Sequence, residues 1–129
     1  MSATRLVARI DEARIRIVDQ HLGVEGLVDS FVDLLLGVSE TELAAEFEIY
    51  LQCRHQPALR ELAHSMMAGF EQSAASTLAA LGVTEPSAAR AFVALVDGFA
   101  LQRFAWPRGR EDRAALGDGL RAFLRAYVS

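Results

Sequence analysis

Ala94-Leu-Val-Asp-Gly-Phe-Ala-Leu-Gln-Arg-Phe104 is too apolar for an ordinary surface helix and too short for a membrane span. From Ser87 to Trp106 the only charged residues are Arg90, Asp97 and Arg103, so a helix there has almost no face left for water. Something must cover it on nearly every side, and a small domain cannot do so unaided. The last segment has the same property. Leu116, Leu120, Phe123 and Tyr127 form one helical stripe, while Ala115, Gly119, Ala122 and Ala126 form a second stripe of small residues. Two such faces imply two neighbours, one the rest of the chain and the other a second copy. A self-complementary two-fold contact is the commonest way to bury that surface, so a homodimer is expected.

Composition agrees with this reading. A length of 129 residues allows one domain, 1–129, and 52% hydrophobic content is high for a free-standing monomer. A net charge of −4 argues against this segment gripping a nucleic-acid backbone itself. The single cysteine, Cys53, cannot form an internal disulfide, and no secretion signal or run of about 20 apolar residues is present. A cytoplasmic location with no membrane contact is expected. The absence of lysine and asparagine reads as the codon bias of a GC-rich genome and says nothing of activity.

Outward from the apolar stretch, the punctuation marks helices throughout. The first runs from about Thr4 to Leu22, with Leu6, Ile10, Ile17 and Val18 at helical intervals, and stops before Gly23. A second runs from about Val24 or Glu25 to Leu36, with Gly37 in the position a left-handed cap favours. Ser39 opens the third as a capping box with Glu42, and Val38 and Leu43 stand where a hydrophobic staple belongs. Pro57 suits the first turn of the fourth, from about Ala58 to Leu81, which ends at Gly82. Thr84 caps the fifth, with Pro86 in its first turn. Pro107 and Gly109 interrupt it, and the sixth begins near Glu111 and Asp112, acids suited to the positive end of a helix dipole. No segment shows the sustained alternation of a strand. About six helices in one all-α domain are expected.

The helix order, the segment Tyr50-Leu-Gln-Cys-Arg-His-Gln-Pro-Ala-Leu-Arg-Glu-Leu62, and above all Leu95-Val-Asp-Gly-Phe-Ala-Leu-Gln102 followed by an amphipathic final helix, resemble the C-terminal effector-binding and dimerisation domain of TetR-type transcriptional regulators. The resemblance covers essentially the whole chain. It implies an orthogonal and antiparallel bundle whose last two helices build a four-helix bundle with a partner subunit. The middle helices would enclose a pocket for a small, usually apolar or aromatic effector. Residues expected at the dimer surface are Ala91, Leu95, Gly98, Leu116, Gly119, Leu120, Phe123 and Tyr127.

The family places a three-helix DNA-binding unit with a helix-turn-helix before this domain, and this sequence has no room for it. Ser2 to Ile10 look like the start of the connecting helix. The chain is therefore expected to be a fragment of a small-molecule-responsive repressor that contacts DNA only through a missing head. The alternative is a stand-alone ligand-binding or protein-interaction dimer without DNA-binding function.

Helical geometry nominates pocket residues. Leu43, Phe47, Tyr50 and Arg54 share one face of the third helix, and Leu59, Leu62 or Ala63, Met66, Phe70 and Thr77 one face of the fourth. Apolar walls with a few polar atoms are what a small-molecule cavity requires. The expected ligand-binding residues are Phe47, Tyr50, Arg54, Met66, Phe70, Phe99 and Gln102, although the same stripes are what a plain core would show. A carboxylate within the most apolar helix is costly if unpaired. For Asp97 three readings stand: an anchor for a polar or cationic effector, an ion pair across the dimer with Arg103 or Arg121, or an exposed edge. Gly98 fits a close approach by another helix.

Enzyme chemistry finds little support. Glu61 and His64 give one Glu-x-x-His pair, but a di-iron bundle needs a second pair and two further glutamates, and His21 and His55 have no matching partner. Cys53 lacks a basic cluster beyond Arg54 and His55 and reads as a buried structural cysteine, with a thiol sensor as the alternative. No glycine-rich phosphate loop and no nucleophile, base and orienter set occurs. No catalytic residue, metal or cofactor is expected.

Overall fold

The computed structural model describes residues 23–127, with Ala8 and Glu12 ahead of them. Five helices build the described region: α1 Gly23–Leu36, α2 Glu40–Gln52, α3 Pro57–Ala80, α4 Pro86–Ala105 and α5 Arg110–Tyr127. No strand occurs among the described residues, and the fold is all-helical as expected. The expected helix from about Thr4 to Leu22 lies outside the described residues, apart from Ala8 and Glu12, which are helical.

Local chemistry sets the helix ends. Ser39 is the N-cap of α2, and its hydroxyl oxygen accepts the Glu42 N–H at 3.2 Å. Val38 and Leu43, on either side of the cap, are both buried, as a staple requires. Helix α3 opens on Pro57 and closes in a Schellman motif. There the Gly82 N–H donates to the Ala79 carbonyl and the Val83 N–H to the Leu78 carbonyl, both at 2.9 Å. Gly82 takes φ +84, which side chains disfavour, and Val83 and Leu78 are buried together in the core.

Two expected caps differ. Gly37 is not among the positive-φ glycines; its N–H is shared between the Asp33 and Leu34 carbonyls, each at 3.2 Å, in a tightened right-handed last turn. Thr84 does not cap α4. Pro86 occupies the first helical turn and holds the preceding Glu85 extended, with φ −61 and ψ 126, so the N-cap falls on Glu85.

Packing is dominated by two pairs, α3 with α4 and α1 with α5, while α2 lies across α3 and α4. Helix α1 turns Leu27, Val28, Phe31 and Val32 inward, and α5 meets them with Leu116, Leu120 and Leu124. Phe92 of α4 is the joint between the pairs. Its ring is edge-on to Phe31 at 5.4 Å and to Phe123 at 5.7 Å between centroids. Charges sit around this seam. Arg121 reaches Glu25 at 3.1 Å, Asp118 at 3.4 Å and Asp29 at 3.8 Å, and Arg113 reaches Asp33 at 2.6 Å. Exposed pairs of this kind contribute about 0–1 kcal/mol each, so the leucines hold α1 on α5 and the arginines fix its register.

This arrangement redraws the expected dimer surface. Leu116 and Leu120, expected there, are 2% and 0% exposed within their own chain. The one apolar stripe of α5 is consumed by α1, and what faces outward is the small-residue side with Ala115, Ala122 and Ala126. Phe123 and Tyr127 are half-buried and packed on each other, with ring centroids 5.1 Å apart. Ala91, Leu95 and Gly98 lie on the outward side of α4. Among the described residues, nothing beyond its own helix comes within 4 Å of a Cβ placed at Gly98 or Gly119, so no described element makes the close approach anticipated at Gly98.

Candidate ligand-binding cavity

Helix α4 has two sides. Phe92, Val93, Val96, Asp97 and Ala100 line a partly open cavity, and Leu95, Leu101 and Gln102 face solvent. The cavity lies where α1, α2, α3 and α4 meet. Phe31 and Leu36 come from α1, Leu43 and Glu46 from α2, and Phe70 and Ala74 from α3. It leaves about 60 Å³ for the centres of water molecules, several times the roughly 10–15 Å³ that one water needs. A gap of that size holds more than one water and is open on one side.

Three charged side chains interrupt the apolar wall: Glu46, Asp97 and Arg103. Arg103 is already engaged. Its Nη2 donates to the Leu36 carbonyl at 3.3 Å, and its Nε lies 4.0 Å from the Asp112 carboxylate. Asp112 is 5% exposed and also accepts the Arg108 N–H at 3.0 Å, closing the turn that starts α5. Glu46 accepts a hydrogen bond from the Tyr50 hydroxyl at 2.8 Å. Asp97 has neither an ion pair nor a hydrogen bond among the described residues. The Asp97 carboxyl is pushed up to about 7, first by burial and then by the Glu46 charge. Burial also raises Glu46, and its phenol bond opposes the rise. Tyr50 is held well above the ordinary phenol range by burial, then by the charge and hydrogen bond of Glu46, and then by the Asp97 charge.

Of the ligand-binding residues expected from sequence, Phe70 and Phe99 line the cavity. Phe47 and Met66 pack half-buried against the core beside it, Phe47 edge-on to Phe104 at 6.0 Å. Tyr50 is not among the lining residues; it hydrogen-bonds the lining Glu46 and feels the Asp97 charge. Arg54 and Gln102 are corrected. Arg54 lies past the end of α2, exposed in the turn before Pro57, and Gln102 is exposed on the solvent side of α4 and does not line the cavity. Sequence reasoning missed Glu46; it named Arg103 only as a candidate partner of Asp97 and Asp112 only as a helix-start acid. Glu46 is one of four glutamates in α2 and sits between the cavity residue Leu43 and Tyr50 in helical spacing, a pattern that becomes a signal only once the inward face is known.

Other candidates do not assemble. Glu61 and His64 are both exposed, and no group of three or more His, Cys, Asp or Glu able to hold a metal occurs among the described residues. Cys53 is half-buried, with its thiol on the Tyr50 carbonyl at 3.1 Å. No described helix is long and apolar enough to cross a membrane.

The described residues form an all-helical domain with an apolar cavity between its middle helices. Residues 22–129 match the family described as Tetracyclin repressor-like, C-terminal domain, and the chain belongs to that family. Domains of this family generally dimerise and bind small-molecule effectors. Searches of curated proteins and of solved structures give no match.

The raised Asp97 carboxyl makes a stability prediction. The folded state holds this proton up to about pH 7, whereas an unfolded Asp releases it near 3.9, so stability falls as pH rises between those values. Asp97→Asn removes the ionisation. With the screening of a partly open site allowed for, the variant is expected to be more stable than the parent by about 1–2 kcal/mol at pH 8 and equal to it near pH 4. Urea melts at the two pH values check this, and equal stability at pH 8 would sink it.

Proposed function

We propose that the cavity binds a small, largely apolar effector and that occupancy changes the geometry of a homodimer. By membership of the family, that change acts on DNA binding through an N-terminal helix-turn-helix head in the cytoplasm. The observation that carries the reading is the cavity itself, where four helices leave an apolar gap in an otherwise packed core. Its lining is shared among four helices, so an occupant that favours one spacing of them biases the whole arrangement. The outward side of α4, with Ala91, Leu95, Gly98 and the 51% exposed Leu101, supports the dimer reading. Ala115, Gly119 and Ala122 on α5 permit close helix approach. No catalytic role is proposed.

Native mass spectrometry of the purified chain tests both parts. A dimer that retains an added small mass is the expected result. Leu95→Glu is expected to convert the dimer to monomer with the helical content unchanged, because a carboxylate on that face would lose water on association. A parent that is monomeric at tens of micromolar would overturn the interface.

A further inference from the structure

Resting on the reading of the cavity as an effector site, we infer that its ligand is an organic cation, an apolar body carrying a protonated amine that Glu46 and Asp97 receive together. The charge balance of the cavity points there. Helices α1 and α3 contribute only apolar side chains to the lining, and the polar groups come from α2 and α4. From α2 these are Glu46 and, behind it, Tyr50; from α4 they are Asp97 and Arg103. The single positive group of the lining is already engaged elsewhere. Arg103 is tied to the Leu36 carbonyl and faces Asp112, whose charge answers its own.

Two carboxylates are left with no counter-charge. Glu46 has only a neutral phenol, and Asp97 has no hydrogen bond or ion pair among the described residues. An anionic ligand would bring a third negative group to them. A neutral ligand can donate one hydrogen bond but leaves in place the repulsion that arises above about pH 7, once both acids are ionised. A cation removes it, and within an apolar wall the attraction is screened far less than in water. Asp97 holds its proton to about pH 7, so the incoming ammonium displaces that proton into solvent. Amine affinity therefore rises with pH through neutrality and falls again only as the amine itself deprotonates, around pH 10 for an alkylamine.

The test uses three probes with one ring and one chain length: 2-phenylethylamine, 2-phenylethanol and phenylacetate. They are titrated into the full chain at pH 8 and low salt, followed by protein NMR for site and by calorimetry for affinity. The amine is expected to bind at least tenfold more tightly than either isostere. At pH 7, calorimetry in two buffers of different ionisation heat is expected to show proton release with the amine and none with the alcohol. Asp97→Asn, expected to fold more stably than the parent, should abolish the tenfold preference, and Glu46→Gln should diminish it. If the alcohol equals the amine, if phenylacetate binds best, or if Asp97→Asn keeps the preference, the cation assignment is wrong and the cavity reading survives. If none of the three shifts resonances of cavity residues, both fall.

Discussion

Phe92→Ala is expected to lower the unfolding free energy by about 3–5 kcal/mol, the largest loss from any single truncation of the lining. The ring is 2% exposed and edge-on to both Phe31 and Phe123, so its removal strips two aromatic contacts as well as the buried area. Its position makes the loss hard to repair. Phe92 already borders an open cavity, and deletion merges a new void with the existing one instead of letting neighbours collapse inward. Against a typical domain stability of about 5–15 kcal/mol, the variant keeps its helices but melts at a much lower urea concentration. Phe92→Leu restores part of the volume and should recover about half of the loss. A Phe92→Ala cost below about 1 kcal/mol would show that the ring is not the joint between the α1–α5 and α3–α4 pairs.

Asp112→Ala is expected to cost about 2–4 kcal/mol, a large effect for a charged residue near a helix start. At an exposed first-turn position an acid gains only about 0.3–1 kcal/mol from the helix dipole. Asp112 differs because it is 5% exposed and its carboxylate serves two groups, the Arg108 N–H at 3.0 Å and the Arg103 guanidinium at 4.0 Å. Truncation leaves a half-buried N–H without an acceptor and a half-buried cation without its anion. Asp112→Asn can still accept the backbone hydrogen bond and should lose about half as much, separating cap from charge. Equal losses in the two variants would assign the whole effect to charge, and a loss below about 0.5 kcal/mol in both would remove Asp112 from the support of the fold.

The helices were legible because their ends carry local chemistry. Ser39, Pro57, Pro86 and the Gly82 turn act within four or five residues of chain, and each boundary falls within a residue or two of its expected place. Gly37 and Thr84 failed for equally local reasons: alternative carbonyls for one N–H, and a proline that fixes its predecessor. The cavity was only half legible. Periodicity finds apolar stripes such as Phe70 and Phe99, but a charged residue on a helix is read as a solvated face until the neighbour opposite is known. Glu46 was hidden in that way. Leu116 and Leu120 were misassigned because a stripe does not say which partner covers it, and α1 does. Asp97 was the exception. A lone acid in an apolar run is conspicuous; Asp97 lines the cavity, and within the chain Arg121 pairs with α1 and Arg103 faces Asp112.

The turn between α4 and α5 carries an optical consequence. Trp106 is the one tryptophan of the chain, 66% exposed, with the Arg108 guanidinium 4.5 Å above its ring. It stands three residues beyond Arg103 and two before the backbone N–H that Asp112 holds. Indole emission from this protein therefore comes from a single address, at the junction of the cavity helix and the final helix. Any rearrangement that slides the cation off the ring changes its colour or yield, so the unlabelled chain is its own fluorescent gauge of that junction.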